Sequence, residues 1–133
     1  MSRVTDVSAN RRVVPEPLPE GWRVLKISGP LFFAAADRVF GEIAHTHGSC
    51  RGLILYLDGV PLLDAGGLSA LERLMQRCKL SGTALILCDL QFQPLKTLAR
   101  AGLQPEPGVF QLTSTLADAL TLLQNNAFAP PVP

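Results

Sequence analysis

Two aspartates and two glycines follow an apolar strand in this chain, and their spacing could support chemistry. Asp58 comes directly after the apolar run Leu53–Leu57, and Asp64 precedes Gly66 and Gly67 where a helix is predicted to begin. Two neighbouring carboxylates can divide the roles of general acid and general base. However, Asp64 is also well placed to accept hydrogen bonds from free N–H groups as the N-cap of a helix. Asp58 is well placed to accept hydrogen bonds from N–H groups of the loop. We therefore predict structural roles for both aspartates rather than acid-base catalysis.

The same helix start has a second interpretation, as a ligand site. Gly66 and Gly67 would leave the N-terminus of the helix open, where N–H groups and the helix dipole favour an anion or a phosphate. The carboxylate of Asp64 would repel such a ligand. The segment comprising Asp58, Asp64, Ala65, Gly66 and Gly67 is thus a candidate loop site, with capping and anion or nucleotide binding as the alternatives.

Other motifs for catalysis or metal binding are incomplete. His45 and His47 lie near the end of a predicted helix, where interaction with free carbonyls is favoured over metal ligation. The stretch Gly67–Leu71 resembles a nucleophile elbow, but Leu71 occupies the place of its second glycine. The sequence therefore predicts a protein that is not an enzyme and that has no metal site and no cofactor.

Composition limits the remaining classes of function. A chain of 133 residues is long enough for one domain with one core. No apolar run approaches the roughly 18 to 20 residues needed to cross a bilayer. A formal net charge of +1 gives no overall field for nucleic acid. The three cysteines lack Cys-x-x-Cys spacing, which favours reduced thiols in a cytosolic setting; they are Cys50, Cys78 and Cys88.

The ends of the chain are predicted to lie outside the folded domain. Residues 1–20 are rich in polar residues and proline, which is typical of a linker, and a short edge strand is expected near residues 12–14. Residues 125–133 contain three prolines and are expected to form a disordered tail. The predicted domain therefore spans residues 21–124.

Between these ends, strand-type and helix-type apolar patterns alternate. The predicted strands are Trp22–Ser28, Leu53–Leu57, Ala84–Cys88 and Val109–Leu112. The predicted helices are Ala36–His47, Ala65–Leu80, Pro94–Ala101 and Thr115–Leu123. Such alternation predicts an α/β fold with a largely parallel sheet and right-handed crossovers.

Two segments of the chain resemble the STAS family, which is shared by sulfate transporters and anti-sigma factor antagonists. The first is the apolar strand with its terminal Asp58 and the helix start Asp-x-x-Gly-Leu at residues 64–68. The second, at residues 29–37, reads Gly-Pro-Leu-Phe-Phe-Ala-Ala-Ala-Asp and is similar to the SulP anion-transporter branch. The resemblance covers roughly residues 23–123. It implies the STAS fold, a small mixed and mostly parallel sheet with helices chiefly on one face.

The resemblance also implies a function by binding. The chain is most similar to the C-terminal cytoplasmic STAS domain of a bacterial SulP transporter of sulfate, bicarbonate or dicarboxylate-like anions, at the cytoplasmic face of the inner membrane. Its expected partners are the membrane domain of the same protein and a second copy. The alternative is a free-standing STAS protein in sigma-factor control or a lipid-transfer assembly, with a nucleotide-binding module third. In the antagonists a phosphorylated serine follows the matching aspartate, whereas this chain has Ala65.

Basic residues at helical spacing form the second candidate site. Residues 73–104 contain five basic residues and one acid. Arg73 and Arg77 share one helix face, and Lys96 and Arg100 repeat the spacing on the next helix. These four residues are either a solvated face or a docking surface for an acidic protein partner.

Overall fold

The computed structural model describes residues 2–47 and 49–125. Nine helices and strands are present in this part of the chain. The strands are β1 (Arg3–Asp6), β2 (Trp22–Ser28), β3 (Gly52–Gly59), β4 (Ala84–Cys88) and β5 (Phe110–Thr113). The helices are α1 (Phe33–His47), α2 (Ala65–Ser81), α3 (Phe92–Arg100) and α4 (Leu116–Gln124).

The strands form a single sheet in the order β1-β2-β3-β4-β5. Strands β2 to β5 are parallel, and β1 pairs with β2 in the antiparallel direction. The α/β class and the mostly parallel sheet are therefore confirmed. Because β2, β3 and β4 run in the same direction, the loops that lead into α1, α2 and α3 all leave from one edge of the sheet, which we call the carboxyl edge.

Both faces of the sheet are buried, each by different elements. Leu25, Leu55 and Leu87 point into a core that they share with α1, α2 and α3. The alternate residues Ile54 and Ile86 pack with α4 and with the N-terminal segment. This two-sided burial explains why the central strands are continuous apolar runs instead of alternating ones.

The N-terminal segment differs from the predicted linker. The edge strand is β1, at residues 3–6, whereas residues 12–14 form a turn, so the expected edge strand there is wrong. Val7 and Val14 are buried against the sheet, and the Val24 N–H donates to the Ser8 hydroxyl at 2.8 Å. Isolated valines within polar sequence supply these contacts, and they show no periodicity that sequence reasoning could use. Residues 126–133, where the disordered tail was predicted, lie outside the described residues.

Element boundaries shift by a few residues at the carboxyl edge. Helix α1 begins at Phe33 instead of Ala36, and α3 begins at Phe92 instead of Pro94. Strand β3 continues to Gly59, so Asp58 lies within the strand instead of ending it. Within the described residues, none of the helices combines the length and the apolar character that a bilayer span requires.

Candidate functional site at the carboxyl edge

Two loops at the carboxyl edge, those before α1 and α2, are joined through their backbones. Leu31, in the loop before α1, forms a parallel bridge with Leu63 in the loop before α2. The Leu31 N–H donates to the Leu62 carbonyl at 2.8 Å, and the Gly29 N–H donates to the Gly59 carbonyl at 2.9 Å. The first two loops therefore continue the strand pairing beyond the ends of β2 and β3.

The start of α3 holds the same loop from the other side. The Gln93 side chain accepts a hydrogen bond from the Leu63 N–H at 2.8 Å and donates to the Leu63 carbonyl at 3.1 Å. The Thr97 hydroxyl donates to that carbonyl as well, at 3.2 Å. Loop residues 60–64 are thus fixed between the loop before α1 and the helix α3.

Asp64 is the N-cap of α2, as the sequence predicted. Its backbone is extended, and its Oδ1 accepts a hydrogen bond from the Gly67 N–H at 2.7 Å. This bond uses one of the N–H groups that an incoming anion would need.

At this helix start, which the sequence predicted to be open, the two glycines are closely packed against the loop before α1. A Cβ atom added to Gly66 would lie 2.6 Å from the Cβ of Phe33, and one added to Gly67 would collide with the carbonyl oxygen of Leu31. The two glycines are therefore needed so that the loop before α1 can pack directly on α2. Close packing, and not a ligand cavity, accounts for the absence of side chains at these positions.

Asp58 is occupied by a separate set of partners. Its carboxylate lies 3.5 Å from the ammonium of Lys26, which also lies 5.3 Å from the centre of the Tyr56 ring. The pKa of Tyr56 is raised, first by burial and then by the nearby Asp58 carboxylate. Asp58 therefore pairs with Lys26 of β2, whereas loop N–H groups were its predicted partners, and Asp64 caps α2, so the two carboxylates have separate partners within the fold.

A third aspartate, which sequence reasoning missed, binds the start of α4, where the N-cap residue itself is Thr115. Asp89 follows β4 with a φ of 56°, a left-handed conformation that aspartate tolerates better than most residues. Its Oδ2 accepts a hydrogen bond from the Leu116 N–H at 2.7 Å, at the start of α4. The available signal was its position after a buried apolar strand, the same position that drew attention to Asp58.

Large apolar side chains are exposed around the same loops. Five of them are between 42% and 78% exposed and together form what we call the apolar tip: Phe32, Phe33, Leu62, Phe92 and Leu95. Phe32, Phe33 and Leu62 belong to the segments around Leu31 and Leu63, and Phe92 and Leu95 lie on α3 beside Gln93. Sequence reasoning assigned no role to this surface, because an apolar residue in a loop cannot be told from a core residue by its type.

The structure separates the four predicted basic residues. Arg73 donates to Asp37 of α1 at 2.9 Å, and Arg77 lines a cavity of about 220 Å³ between α1 and α2. The other flank of α2 carries Lys79, which lies 3.2 Å from Glu106 in the segment after α3. Arg73 and Arg77 thus lie beside α1, whereas Lys96 and Arg100 lie on the exposed face of α3.

The cysteines have the environment of core residues. Burial raises the pKa of the Cys78 thiol to about 11, and burial also raises the pKa of the Cys88 thiol. Cys50 is half-buried. Across the residues that the structure describes, no three His, Cys, Asp or Glu side chains are grouped so that they could hold a metal ion.

Comparison with known proteins identifies the family to which this fold belongs. The family model of the STAS domain matches residues 15–119. The chain belongs to the STAS domain family. Its five-stranded, mostly parallel sheet with three helices on one face and α4 on the other is the STAS fold. A search of the curated proteins finds no match.

Solved structures of transporter STAS domains resemble this one along most of its length. A sulfate transporter family protein from Wolinella succinogenes is 27% identical, with a TM-score of 0.69, over 91% of this chain and 97% of that chain. The STAS domain of a SulP transporter from Vibrio cholerae is 23% identical, with a TM-score of 0.68, over 93% and 99% of the two chains. An anti-sigma factor antagonist from Mycobacterium paratuberculosis is 21% identical, with a TM-score of 0.64, over 93% and 95%. STAS domains of both kinds therefore share this fold.

Proposed function

We propose that this STAS domain acts by binding, without catalysis, as the cytoplasmic regulatory domain of a SulP-type anion transporter. Transport of sulfate, bicarbonate or dicarboxylate-like anions then belongs to a membrane domain of the same protein. The domain would sit at the cytoplasmic face of the bacterial inner membrane and contact that membrane domain. The 27% identity with a sulfate transporter family protein, which extends over 91% of the chain, supports this assignment.

One structural observation carries the proposal. The SulP-like turn at residues 29–33 packs directly on Gly66 and Gly67, next to the position where an antagonist has its serine. That position is Ala65, an exposed methyl group without a hydroxyl to phosphorylate. The turn that resembles the transporter branch thus packs beside the position that lacks a residue to phosphorylate.

The side chains at the carboxyl edge support a role in binding for a further reason. Asp58, Asp64 and Gln93 are engaged in hydrogen bonds or ion pairs within the fold. A general acid or base needs access to a reacting group, whereas Asp58 pairs two strands, Asp64 caps a helix and Gln93 holds a loop. What the edge offers to an external molecule is its exposed apolar surface.

Membrane fractionation of the natural gene product tests the assignment. We expect an antibody against residues 21–124 to detect the domain in the membrane fraction after washing with carbonate, because the domain would be covalently joined to membrane spans. Protease added to inside-out vesicles should digest it. Recovery of the whole gene product in the soluble fraction would overturn the transporter proposal.

A kinase assay tests separately whether the loop lacks the phosphorylation site of an antagonist. Host cytosol with labelled ATP should leave the natural domain unlabelled at residues 64–68. An Ala65→Ser variant serves as the comparison, since a domain that retains the antagonist's recognition surface would then become a substrate. Because residues 64–68 carry no hydroxyl group, the variant decides the test: labelling of Ala65→Ser at position 65 would show that the recognition surface of an antagonist is retained and would favour sigma-factor control instead.

A further inference from the structure

We propose that the apolar tip, together with Lys96 and Arg100 on the outer face of α3, contacts the headgroup region of an anionic lipid bilayer. This inference goes beyond the transporter assignment and does not depend on it, because it concerns a surface that the isolated domain already presents. It also gives a specific role to one of the two basic pairs.

The tip has the form of a surface that inserts. Phe92 is 78% exposed and Phe33 is 60% exposed, so these rings project into solvent instead of lining a groove. Their neighbours Phe32, Leu62 and Leu95 come from the same three adjoining segments. Isolated exposed apolar residues are ordinary, whereas a contiguous group marks an interaction surface.

Helix α3 divides into an inner and an outer face. Pro94 and Leu98 are buried, and Gln93 binds the Leu63 backbone, which fixes the orientation of the helix. Phe92 and Lys96 lie on the exposed face, and the Lys96 ammonium is 5.7 Å from the centre of the Phe92 ring. An apolar group flanked by basic residues is the pattern of helices that lie in a membrane interface.

The charge around the tip favours anionic lipid. The acids of the carboxyl edge have partners within the fold, since Asp58 pairs with Lys26, Asp64 caps α2 and Asp89 accepts a hydrogen bond from the first N–H of α4. Among the described residues, neither Lys96 nor Arg100 has a carboxylate within ion-pair distance. Lys96 and Arg100 therefore present positive charge without an ion-pair partner on the outer face of α3, which complements anionic headgroups.

Vesicle sedimentation tests the proposal on the folded chain. We expect the protein to bind vesicles of phosphatidylglycerol and phosphatidylcholine, to bind vesicles of phosphatidylcholine alone much more weakly, and to dissociate as salt rises, because exposed charges are screened. Phe92→Ser should weaken binding by about tenfold, since burial of one aromatic ring contributes roughly that factor or more. Lys96→Ala should weaken binding to the anionic vesicles by about fivefold.

Two matched variants distinguish binding through the apolar tip from non-specific binding through any exposed residue. Leu80 is as exposed as Phe92 but lies at the C-terminal end of α2, away from the carboxyl edge. Leu80→Ser should therefore bind like the unmodified protein. Arg77 is exposed on the α1 flank of α2, so Arg77→Ala should also leave vesicle binding unchanged. Urea unfolding of all four variants checks that each is folded, which is expected because the replaced side chains are exposed.

Three results would overturn the proposal. The first is no sedimentation with anionic vesicles at low salt. The second is equal loss of binding in Phe92→Ser and Leu80→Ser. The third is a concentration-dependent dimer in analytical ultracentrifugation that is abolished by Phe92→Ser, since this would assign the tip to a second copy of the chain. Each of these results leaves the membrane fractionation of the gene product unaffected.

Discussion

Two helices begin at the same edge of the sheet, and their first turns are built in opposite ways. The start of α2 is closed: Asp64 caps it, and Gly67 packs against the backbone of Leu31. The start of α3 is open on its outer side: Gln91 at its N-cap makes no side-chain capping bond, and Phe92 projects into solvent.

The difference shows that prominent sequence motifs and exposed surface need not coincide. The Asp-x-x-Gly-Leu start of α2 has the residue types of a ligand site, yet those residues serve to pack two loops together. The start of α3 carries no motif, yet its outer face presents aromatic and basic side chains. Substitutions at the two starts should therefore separate effects on stability from effects on binding.

Among substitutions at the two helix starts, Gly67→Ala should produce the largest loss of stability. The added methyl group would collide with the Leu31 carbonyl and lie 2.8 Å from a methyl carbon of Leu63, so the backbone must move. We expect a decrease of about 3 kcal/mol in the free energy of unfolding, at the upper end for overpacking, measured by urea denaturation.

Gly41→Ala is the matched control for that substitution. Gly41 lies within α1, and a Cβ added there meets no atom within 4 Å. Alanine should therefore stabilise the domain by about 0.5 to 1 kcal/mol, because it restricts the unfolded chain more than glycine does. If Gly67→Ala were as well tolerated as Gly41→Ala, the start of α2 would be open and a ligand site there would be restored.

Gln93→Ala should have the next largest effect. It removes the acceptor of the Leu63 N–H, and Leu63 is buried, so the N–H group would lose its partner. We expect a loss of about 2 kcal/mol. Gln91→Ala is the control, since Gln91 makes one exposed bond, to the Asp58 carbonyl, and should cost about 0.5 kcal/mol. Equal effects of the two substitutions would show that α3 is not anchored through Gln93.

Asp64→Ala should lower the free energy of unfolding by about 1 kcal/mol through loss of the α2 cap. Asp64→Asn should lose much less, because the asparagine side chain retains an oxygen that can accept from the Gly67 N–H. Thermal unfolding of the two variants at neutral pH gives the comparison. An Asp64→Ala variant with an unchanged midpoint would show that the cap is unimportant and that Asp64 is available for binding.

The central strands and the α2 cap could be predicted because local sequence determines them. Ala84–Cys88 is a continuous apolar run, and both of its predicted boundaries match β4. Asp64 precedes a helical pattern directly, so its cap follows from spacing alone.

What could not be predicted depends on contacts between distant segments. The closure at Gly67 requires Leu31, which is 36 positions earlier in the sequence, and β1 requires pairing with β2 across the intervening N-terminal turn. Similarly, the ion pair between Arg73 and Asp37 joins two helices, and the sequence does not indicate which residues face each other across them. The exposure of Phe92 could not be predicted either, because the sequence does not indicate whether its ring points inward or outward.

Phe92→Ala should have the smallest effect on stability. Phe92 is 78% exposed and its ring contacts the Lys96 ammonium at 5.7 Å, so its removal should change the free energy of unfolding by no more than about 0.5 kcal/mol. Phe40→Ala is the reference for a buried ring of the same type, and its cost should be about 3 to 5 kcal/mol, because Phe40 is 3% exposed in the core under α1. Urea denaturation of the two variants under identical conditions measures both values. A loss above about 1 kcal/mol for Phe92→Ala would show that its ring packs within the fold, and the contrast between a closed α2 start and an open α3 start would then fail.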